Sequence, residues 1–378
     1  MTLAPFKLER YFARYEFAAP YLLCTSDCEA LSLAELLGLE ADAREKCSAL
    51  RLGYVEANGA ASVRAGVAAL FDRVQPDDVL LHAGSSEAIF AFMTCALEAG
   101  DHVIVHHPCY QSHYEVAKSI GCDVTLWCGD ERRGWELDVD DLKRALRPNT
   151  KAVMITAPHN PTGYLMARAT LDAVVALLRE RGILLFSDEI FRFIEQYPAE
   201  RLPGAVDLYE RAISVGGLSK TFGLPGVRVG WAVSRERDLL TRMARLKDYL
   251  SLCNGATDEF LAGIALRNRH ELHGRSLELV VSNLRLLDAF LERHGDLFRW
   301  QRPRASTVGL VRYQGASGTA KFCDDVVRES GVLLLPSAEL EFGDAHFRVG
   351  FGRRDMPAAV SRFEEYLKPG RAAALASN

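Results

Sequence analysis

The stretch Gly217-Leu-Ser-Lys-Thr-Phe-Gly-Leu-Pro-Gly-Val-Arg-Val-Gly230 contains the most specific residue pattern in this chain of 378 residues. Lys220 sits in a loop of small residues that follows an apolar run, and Arg228 comes eight positions later, where a second apolar run begins. The simplest alternative is a solvated lysine in a flexible Gly/Ser loop, but such a loop does not require an arginine at a fixed distance. We therefore interpret Lys220 as a functional side chain at the end of a strand.

On both sides of this stretch, from about Asp77 onwards, short apolar runs alternate with helical patterns. Helices are predicted at 85–99, 112–120 and 170–181, and the apolar runs lie at 79–82, 103–106, 124–127, 142–146, 151–156, 183–186, 212–215 and 227–233. This alternation predicts an α/β fold with a mostly parallel central sheet and helices on both faces. Ligands bind at the carboxyl ends of the strands in such sheets, which is where Lys220 is placed.

The pattern changes after the last of these runs. Residues 234–295 are helical in period, and the runs at 307–313, 331–335 and 346–351 are predicted as strands among helices. These segments indicate a smaller α+β unit. The tail after Lys368 is rich in alanine and is expected to fray.

Composition limits the class of protein. The chain is 49% hydrophobic and 25% charged, which is ordinary for a globular fold, and its net charge of −5 gives no reason to expect nucleic acid as a partner. No apolar run reaches the roughly 18 residues needed to cross a membrane, and the first residues lack a secretory pattern. The nine cysteines include no C-x-x-C pair, so we expect reduced thiols and a cytoplasmic location.

The stretch around Lys220 resembles the cofactor-lysine signature of the class I/II aminotransferase family, and matching motifs extend from about Tyr54 to Arg348. The resemblance implies the PLP-dependent transferase fold type I, with pyridoxal 5′-phosphate (PLP) as cofactor. Lys220 would be the catalytic residue, holding PLP as a Schiff base. The large PLP-binding domain would span 50–260. Residues 1–49 and 261–378 would form a discontinuous small domain, whose N-terminal segment contributes to the substrate site.

The resemblance assigns three residues to the cofactor ring. Asn160, in Ala157-Pro-His-Asn-Pro-Thr-Gly163, would donate a hydrogen bond to O3′, and Tyr110 would stack on the pyridine ring. Asp188 ends an apolar strand and would pair with the pyridine nitrogen. A buried carboxylate there raises the pKa of that nitrogen and keeps it protonated, which the ring needs to accept electrons. We expect the neighbouring Glu189 to be a solvated acid at the strand end.

The cofactor phosphate is assigned to a strand–helix junction. Backbone N–H groups and hydroxyls at a helix N-terminus suit a dianion, so Gly84, Ser85 and Ser86 match the phosphate loop. Arg228 would add a charge-assisted contact, and Ser219 beside the lysine is also assigned to the cofactor.

Two further residues concern the substrate and the assembly. Arg348 matches the arginine that binds the substrate carboxylate with its planar fork, and Asn160 would lie beside it. Tyr54 matches a tyrosine that reaches the phosphate in the neighbouring subunit, so the resemblance implies a homodimer with shared active sites.

Three departures from the family pattern are visible. Gly217 occupies a position that is often serine, and Phe191 one that is commonly tyrosine. The segment Leu22-Leu-Cys-Thr-Ser-Asp-Cys28 lacks the usual glycine-containing substrate motif. This segment carries Asp27, and we hypothesise that a buried carboxylate there favours a cationic side chain on the substrate; a solvated turn aspartate is the alternative.

The implied activity is transfer of an amino group between an L-amino acid and a 2-oxo acid. The same residues also serve PLP-dependent lyases, cyclases and replacement enzymes, such as capreomycidine-synthase-like or C–S-lyase-like proteins, since fold and cofactor do not fix the reaction. A non-catalytic regulator on this fold is a further alternative. It would carry an added DNA-binding domain, whereas here the sheet pattern begins within the first ~80 residues.

Overall fold

The computed structural model describes residues 2–368, so the alanine-rich tail lies outside the described residues. The strands are β1 (Tyr21–Leu22), β2 (Val79–His82), β3 (His102–His107), β4 (Asp123–Cys128), β5 (Thr150–Thr156), β6 (Leu184–Asp188), β7 (Ala212–Gly217), β8 (Gly230–Ser234), β9 (Phe298–Trp300), β10 (Val308–Tyr313), β11 (Val332–Leu333), β12 (Leu335–Pro336) and β13 (His346–Gly350). The α-helices are α1 (Lys7–Tyr15), α2 (Leu33–Leu37), α3 (Ala43–Ser48), α4 (Ala61–Ala68), α5 (Ser85–Ala96), α6 (Ser112–Ile120), α7 (Val139–Ala145), α8 (Arg168–Arg181), α9 (Ala205–Leu208), α10 (Arg237–Lys247), α11 (Ala256–Arg267), α12 (Arg269–Arg293), α13 (Thr319–Ser330) and α14 (Met356–Tyr366). None of these helices combines the length and the apolar composition needed to span a membrane.

The central sheet has seven strands in the order β2-β8-β7-β6-β5-β3-β4. Every neighbouring pair is parallel except the two pairs made by β8, which runs antiparallel to β7 and β2. Successive side chains point to opposite faces: Met154 and Phe186 pack with α5, α6 and α10, while Val153 and Leu185 pack with α7 and α8. The predicted mostly parallel sheet with helices on both faces is confirmed.

A smaller antiparallel sheet, in the order β12-β13-β10-β9, packs against α12, α13 and α14. The short strand β1 pairs in parallel with β11, so the N-terminal segment joins this part of the fold. The predicted smaller α+β unit is therefore present, while its predicted domain boundaries stay a prediction.

Two details differ from the sequence expectation. The strand predicted at 227–233 begins only at Gly230, because Pro225–Val227 forms a 3₁₀ turn and Arg228 adopts a left-handed conformation with φ of 52°. The run at 142–146 belongs to helix α7 rather than to a strand. Its start is fixed by Asp138, whose side chain accepts a hydrogen bond from the backbone N–H of Asp140.

The sheet brings the functional loops together at one edge. Strands β2, β5, β6 and β7 all run in the same direction, so their carboxyl ends share that edge. Each strand is followed within a few positions by a residue of interest: Gly84 after β2, Asn160 after β5, Glu189 after β6 and Lys220 after β7. Motifs that are far apart in the chain therefore converge.

Candidate active site

One cavity at this edge collects most of the residues that the sequence singled out. Its wall also includes residues of the N-terminal segment and of α1. The predicted residues that line it are Ser85, Ser86, Tyr110, Asn160, Asp188, Ser219, Lys220, Arg228 and Arg348.

Lys220 lies in the loop between β7 and the 3₁₀ turn at Pro225–Val227. Its Nζ donates a hydrogen bond to Oγ of Ser26 at 2.8 Å. Burial lowers the pKa of Lys220 below its ordinary value; nearby Asp27 opposes this change and Arg348 adds to it. A lowered pKa leaves more of the amine neutral near pH 7, which is the form that acts as nucleophile or base.

Asp188 ends β6 and its side chain is buried. Oδ1 accepts a hydrogen bond from the backbone N–H of Ile190 at 3.1 Å, and Oδ2 lies 3.2 Å from Nε2 of His113. His113 is itself buried on α6. The carboxylate is thus held in one orientation, and His113 is a contact that no sequence motif indicated.

Arg348 lies on β13 with only 1% of its surface exposed. Nε and Nη2 donate to the carbonyl oxygen of Cys24 at 3.1 and 2.9 Å, and Nη1 donates to Oδ1 of Asn160 at 3.3 Å. Within residues 2–368 it forms no ion pair with a carboxylate. A buried cation without a counter-ion is costly, so this end of the cavity suits an anionic group.

Groups that suit an anion also lie at the start of α5. Its N-cap is Gly84, with φ of 90°, and no side chain of the described part of the chain caps this helix end. Ser85 and Ser86 form the first turn, and a Cβ atom at Gly84 would lie 2.4 Å from Nη2 of Arg228. The guanidinium therefore lies against the helix start, where free N–H groups and hydroxyls can bind a phosphate. This set of donors fits the phosphate of PLP.

Tyr110 follows β3 and lines the same cavity. Its ring packs against Phe6, with ring centroids 4.8 Å apart, and its hydroxyl donates to Oε1 of Glu9 at 3.2 Å. Burial raises the pKa of Tyr110 to about 12, so the phenol is neutral in the physiological range. A planar heterocycle bound in this cavity can stack on the neutral ring of Tyr110.

The structure also gives the positions of Tyr54, Phe191 and Glu189. Tyr54 is not in this cavity: it is 89% exposed and lines a surface depression with Leu52 and the segment 253–258. Phe191 does line the cavity and is buried. The expectation for Glu189 is wrong, because this side chain is buried. Its Oε1 accepts hydrogen bonds from the Ser214 hydroxyl at 2.7 Å and from a backbone N–H.

The N-terminal segment, which the family resemblance assigns to the substrate site, forms one wall of this cavity. Phe12 and Glu16 of the α1 region line the cavity, as do Thr25 and Ser26. The segment is held against β13: the backbone N–H of Gly350 donates to Leu23, and Thr307 donates to the Ser26 carbonyl at 2.6 Å. No sequence motif indicated that α1 would line this cavity.

This chain is similar in sequence and in structure to known proteins. The sequence profile of the family "Aminotransferase class I and II" matches residues 23–362. Capreomycidine synthase from Streptomyces vinaceus is 30% identical over 81% of this chain and 78% of its own length. Among solved structures, a PLP-dependent aminotransferase from Streptococcus suis has a TM-score of 0.92 and 29% identity, covering 97% of this chain and 98% of its own. The PLP-dependent cyclase OrfR has a TM-score of 0.87 with the same identity and coverage.

Proposed function

The chain belongs to the class I and II aminotransferase family and is a PLP-dependent aminotransferase, and on this basis we propose that the cavity around Lys220 is its active site. One observation carries the assignment. A partly buried amine, a buried carboxylate and a buried arginine, Lys220, Asp188 and Arg348, line one cavity at the carboxyl edge of a mostly parallel sheet. These three groups are what amino transfer requires: a base, a partner for the cofactor ring and a carboxylate site.

We propose that the cofactor is held at both ends. Ser85, Ser86 and Arg228 would bind its phosphate, together with the N–H groups at the start of α5. Asp188 would pair with the ring nitrogen. When bound, PLP supplies an electron sink for the bonds at the substrate Cα.

Three more side chains are assigned to the cofactor. Asn160 would donate from Nδ2 to O3′, which is compatible with the structure because its Oδ1 already accepts from Arg348. Tyr110 would stack on the ring, and Ser219 lies beside Lys220 at the cavity wall.

Lys220 would both attach the cofactor and move the substrate proton. After the substrate amine takes its place, Nζ of Lys220 is free to accept the Cα proton and to return it as a general acid. Its bond to the hydroxyl of Ser26 orients Nζ within the cavity. The lowered pKa of Lys220 favours the neutral amine that this role needs.

Arg348 would fix the substrate carboxylate. Its guanidinium is oriented by Cys24 and Asn160 before any substrate binds, so little side-chain entropy remains to be lost. Binding the carboxylate there aligns the amino group with Lys220.

A specific observation favours a second candidate function. Capreomycidine synthase and the cyclase OrfR are as similar in sequence as the Streptococcus suis aminotransferase. A PLP-dependent cyclase, lyase or replacement enzyme would use the same lysine, aspartate and arginine. The two functions differ in whether the amino group leaves the substrate for a 2-oxo acid.

The discriminating experiment combines the purified holoenzyme with a panel of L-amino acids, with and without added 2-oxo acids. We expect the amino acid to become its 2-oxo acid and the added 2-oxo acid to gain the amino group in equal amount, as measured by product masses. Turnover that continues without a 2-oxo acid and releases ammonia, water or a ring-closed product would instead establish the second function.

We further propose a cytoplasmic homodimer with shared sites. Tyr54 is 89% and Leu52 82% exposed, and Tyr249 is equally uncovered, which is unusual for side chains of this size. A second copy of the chain would cover these groups and bring Tyr54 to the partner's phosphate site. A sedimentation experiment that finds one chain per particle would contradict this arrangement.

A further inference from the structure

In the proposed function, some acidic side chains of the active-site cavity are left without an oppositely charged partner. The cofactor phosphate would neutralise Arg228, the ring nitrogen would pair with Asp188, and the substrate carboxylate would pair with Arg348. Lys220 would be used in the covalent bond. The inference below rests on this proposed function, because it concerns only the charges that remain.

Three carboxylates remain on the wall formed by the N-terminal segment and α1. They are Glu9, Glu16 and Asp27, and all three line the cavity. Among residues 2–368, only Arg353 lies within ion-pair distance of any of them: its Nη1 lies 3.8 Å from Oδ2 of Asp27, and its Nε also contacts Asp355 at 3.3 Å. One shared arginine cannot balance three acids, so this wall keeps a net negative charge.

The geometry of the two inner acids suits a ligand. The side chain of Asp27 is 20% exposed and follows Ser26, the residue bonded to Lys220. Glu16 follows α1 and has no lysine, arginine or histidine within ion-pair distance among residues 2–368. Burial raises the pKa of Glu16, and repulsion between the carboxylates of Glu16 and Asp27 adds to the effect, while Lys220 and Arg353 oppose it. A cation between them would relieve that repulsion.

An independent observation points to a ligand at the same wall. Thr25 lines the cavity and is 4% exposed, yet its hydroxyl has no hydrogen-bond partner within the described part of the chain. Buried hydroxyls are almost always bonded, so an unbonded one indicates a missing partner. A group with several N–H donors could bond this hydroxyl and the carboxylates together.

We propose that the amino-acid substrate carries an ammonium or guanidinium group on its side chain, which binds between Glu16 and Asp27 near the hydroxyl of Thr25. Glu9 lies farther out, where it accepts a hydrogen bond from Tyr110, and adds negative charge at the cavity mouth. The charged end of the side chain is therefore recognised by these carboxylates, while the α-carboxylate of the substrate is bound by Arg348, whose guanidinium is held by the Cys24 carbonyl.

The test compares substrates of matched shape that differ in charge: arginine with citrulline, and lysine with norleucine. We expect kcat/KM for the cationic member of at least one pair to exceed that of its neutral partner about tenfold or more. Glu16→Gln and Asp27→Asn should each reduce this ratio. Asp140→Asn removes the same charge from the exposed surface of α7 and should leave both the ratio and the turnover unchanged. Arginine and lysine together show whether guanidinium or ammonium is preferred.

Two outcomes would overturn the inference while leaving the proposed function intact. One is amino transfer with equal preference within both pairs, and the other is a preference for acidic amino acids. If no amino acid of the full panel transfers its amino group to a 2-oxo acid, the proposed function fails, and dissociation constants from calorimetry decide the inference separately. Equal affinity for arginine and citrulline, and for lysine and norleucine, would then contradict it.

Discussion

Lys220→Ala is expected to reduce turnover by roughly 10⁴- to 10⁶-fold, because one substitution removes both the covalent anchor of the cofactor and the base at the substrate Cα. The buried position of the amine and its bond to Ser26 make replacement by a neighbouring lysine difficult. The phosphate site at α5 and Arg228 is untouched, so PLP should still bind, but without a covalent bond.

Borohydride reduction followed by peptide mass analysis measures this directly. The wild-type protein should carry reduced cofactor on the peptide that contains Lys220, and Lys220→Ala should carry none. Lys143→Ala, at an exposed position of α7, is the matched control and should retain full turnover. Asp188→Asn provides a contrast, since it should keep the reducible bond and yet lose most turnover. Reduced cofactor at another lysine in Lys220→Ala would refute the assignment.

Arg348→Ala should lower kcat/KM for both the amino acid and the 2-oxo acid by about 30- to 4000-fold, which corresponds to roughly 2–5 kcal/mol for loss of one partner of a buried charge pair. The guanidinium is almost fully buried and is already oriented by Cys24 and Asn160, so water cannot easily replace it. Most of the loss should appear in KM, because the carboxylate is bound throughout the reaction.

The cofactor spectrum separates loss of binding from loss of folding. It should be unchanged in Arg348→Ala, since the residues assigned to the phosphate and ring nitrogen remain. Arg348→Lys keeps the charge but lacks the planar fork, so it should recover only part of the affinity. Arg312→Ala, on the neighbouring strand β10, is a control that removes a partly exposed arginine. Unchanged KM values in Arg348→Ala would remove this residue from the substrate site.

The parts of the fold that could be predicted from sequence are those specified locally. Strands such as β6 are buried on both faces and therefore appear as continuous apolar runs, and the small residues around Lys220 mark the turn after β7. Because carboxyl ends of parallel strands share an edge, the motifs at Gly84, Asn160 and Asp188 could be assigned to one site.

The parts that could not be predicted depend on contacts between distant segments. Ser26 bonds Lys220 across 194 residues, and no local pattern encodes that pairing. The start of β8 was placed too early because the left-handed conformation of Arg228 interrupts an otherwise apolar run. The contact between His113 and Asp188 joins a helix to a strand end, and nothing in the spacing of either motif indicated it.

The bond between Arg348 and the Cys24 carbonyl spans 324 positions, and it has a consequence for the order in which the chain is made. A ribosome delivers the N-terminal segment before the central sheet and β13 after it. A nascent chain that ends before β13 therefore has every side chain assigned to the cofactor, including Lys220, but lacks Arg348, to which the substrate carboxylate is assigned. The cofactor site and the substrate site are thus completed at different moments of synthesis, and the second must await β13.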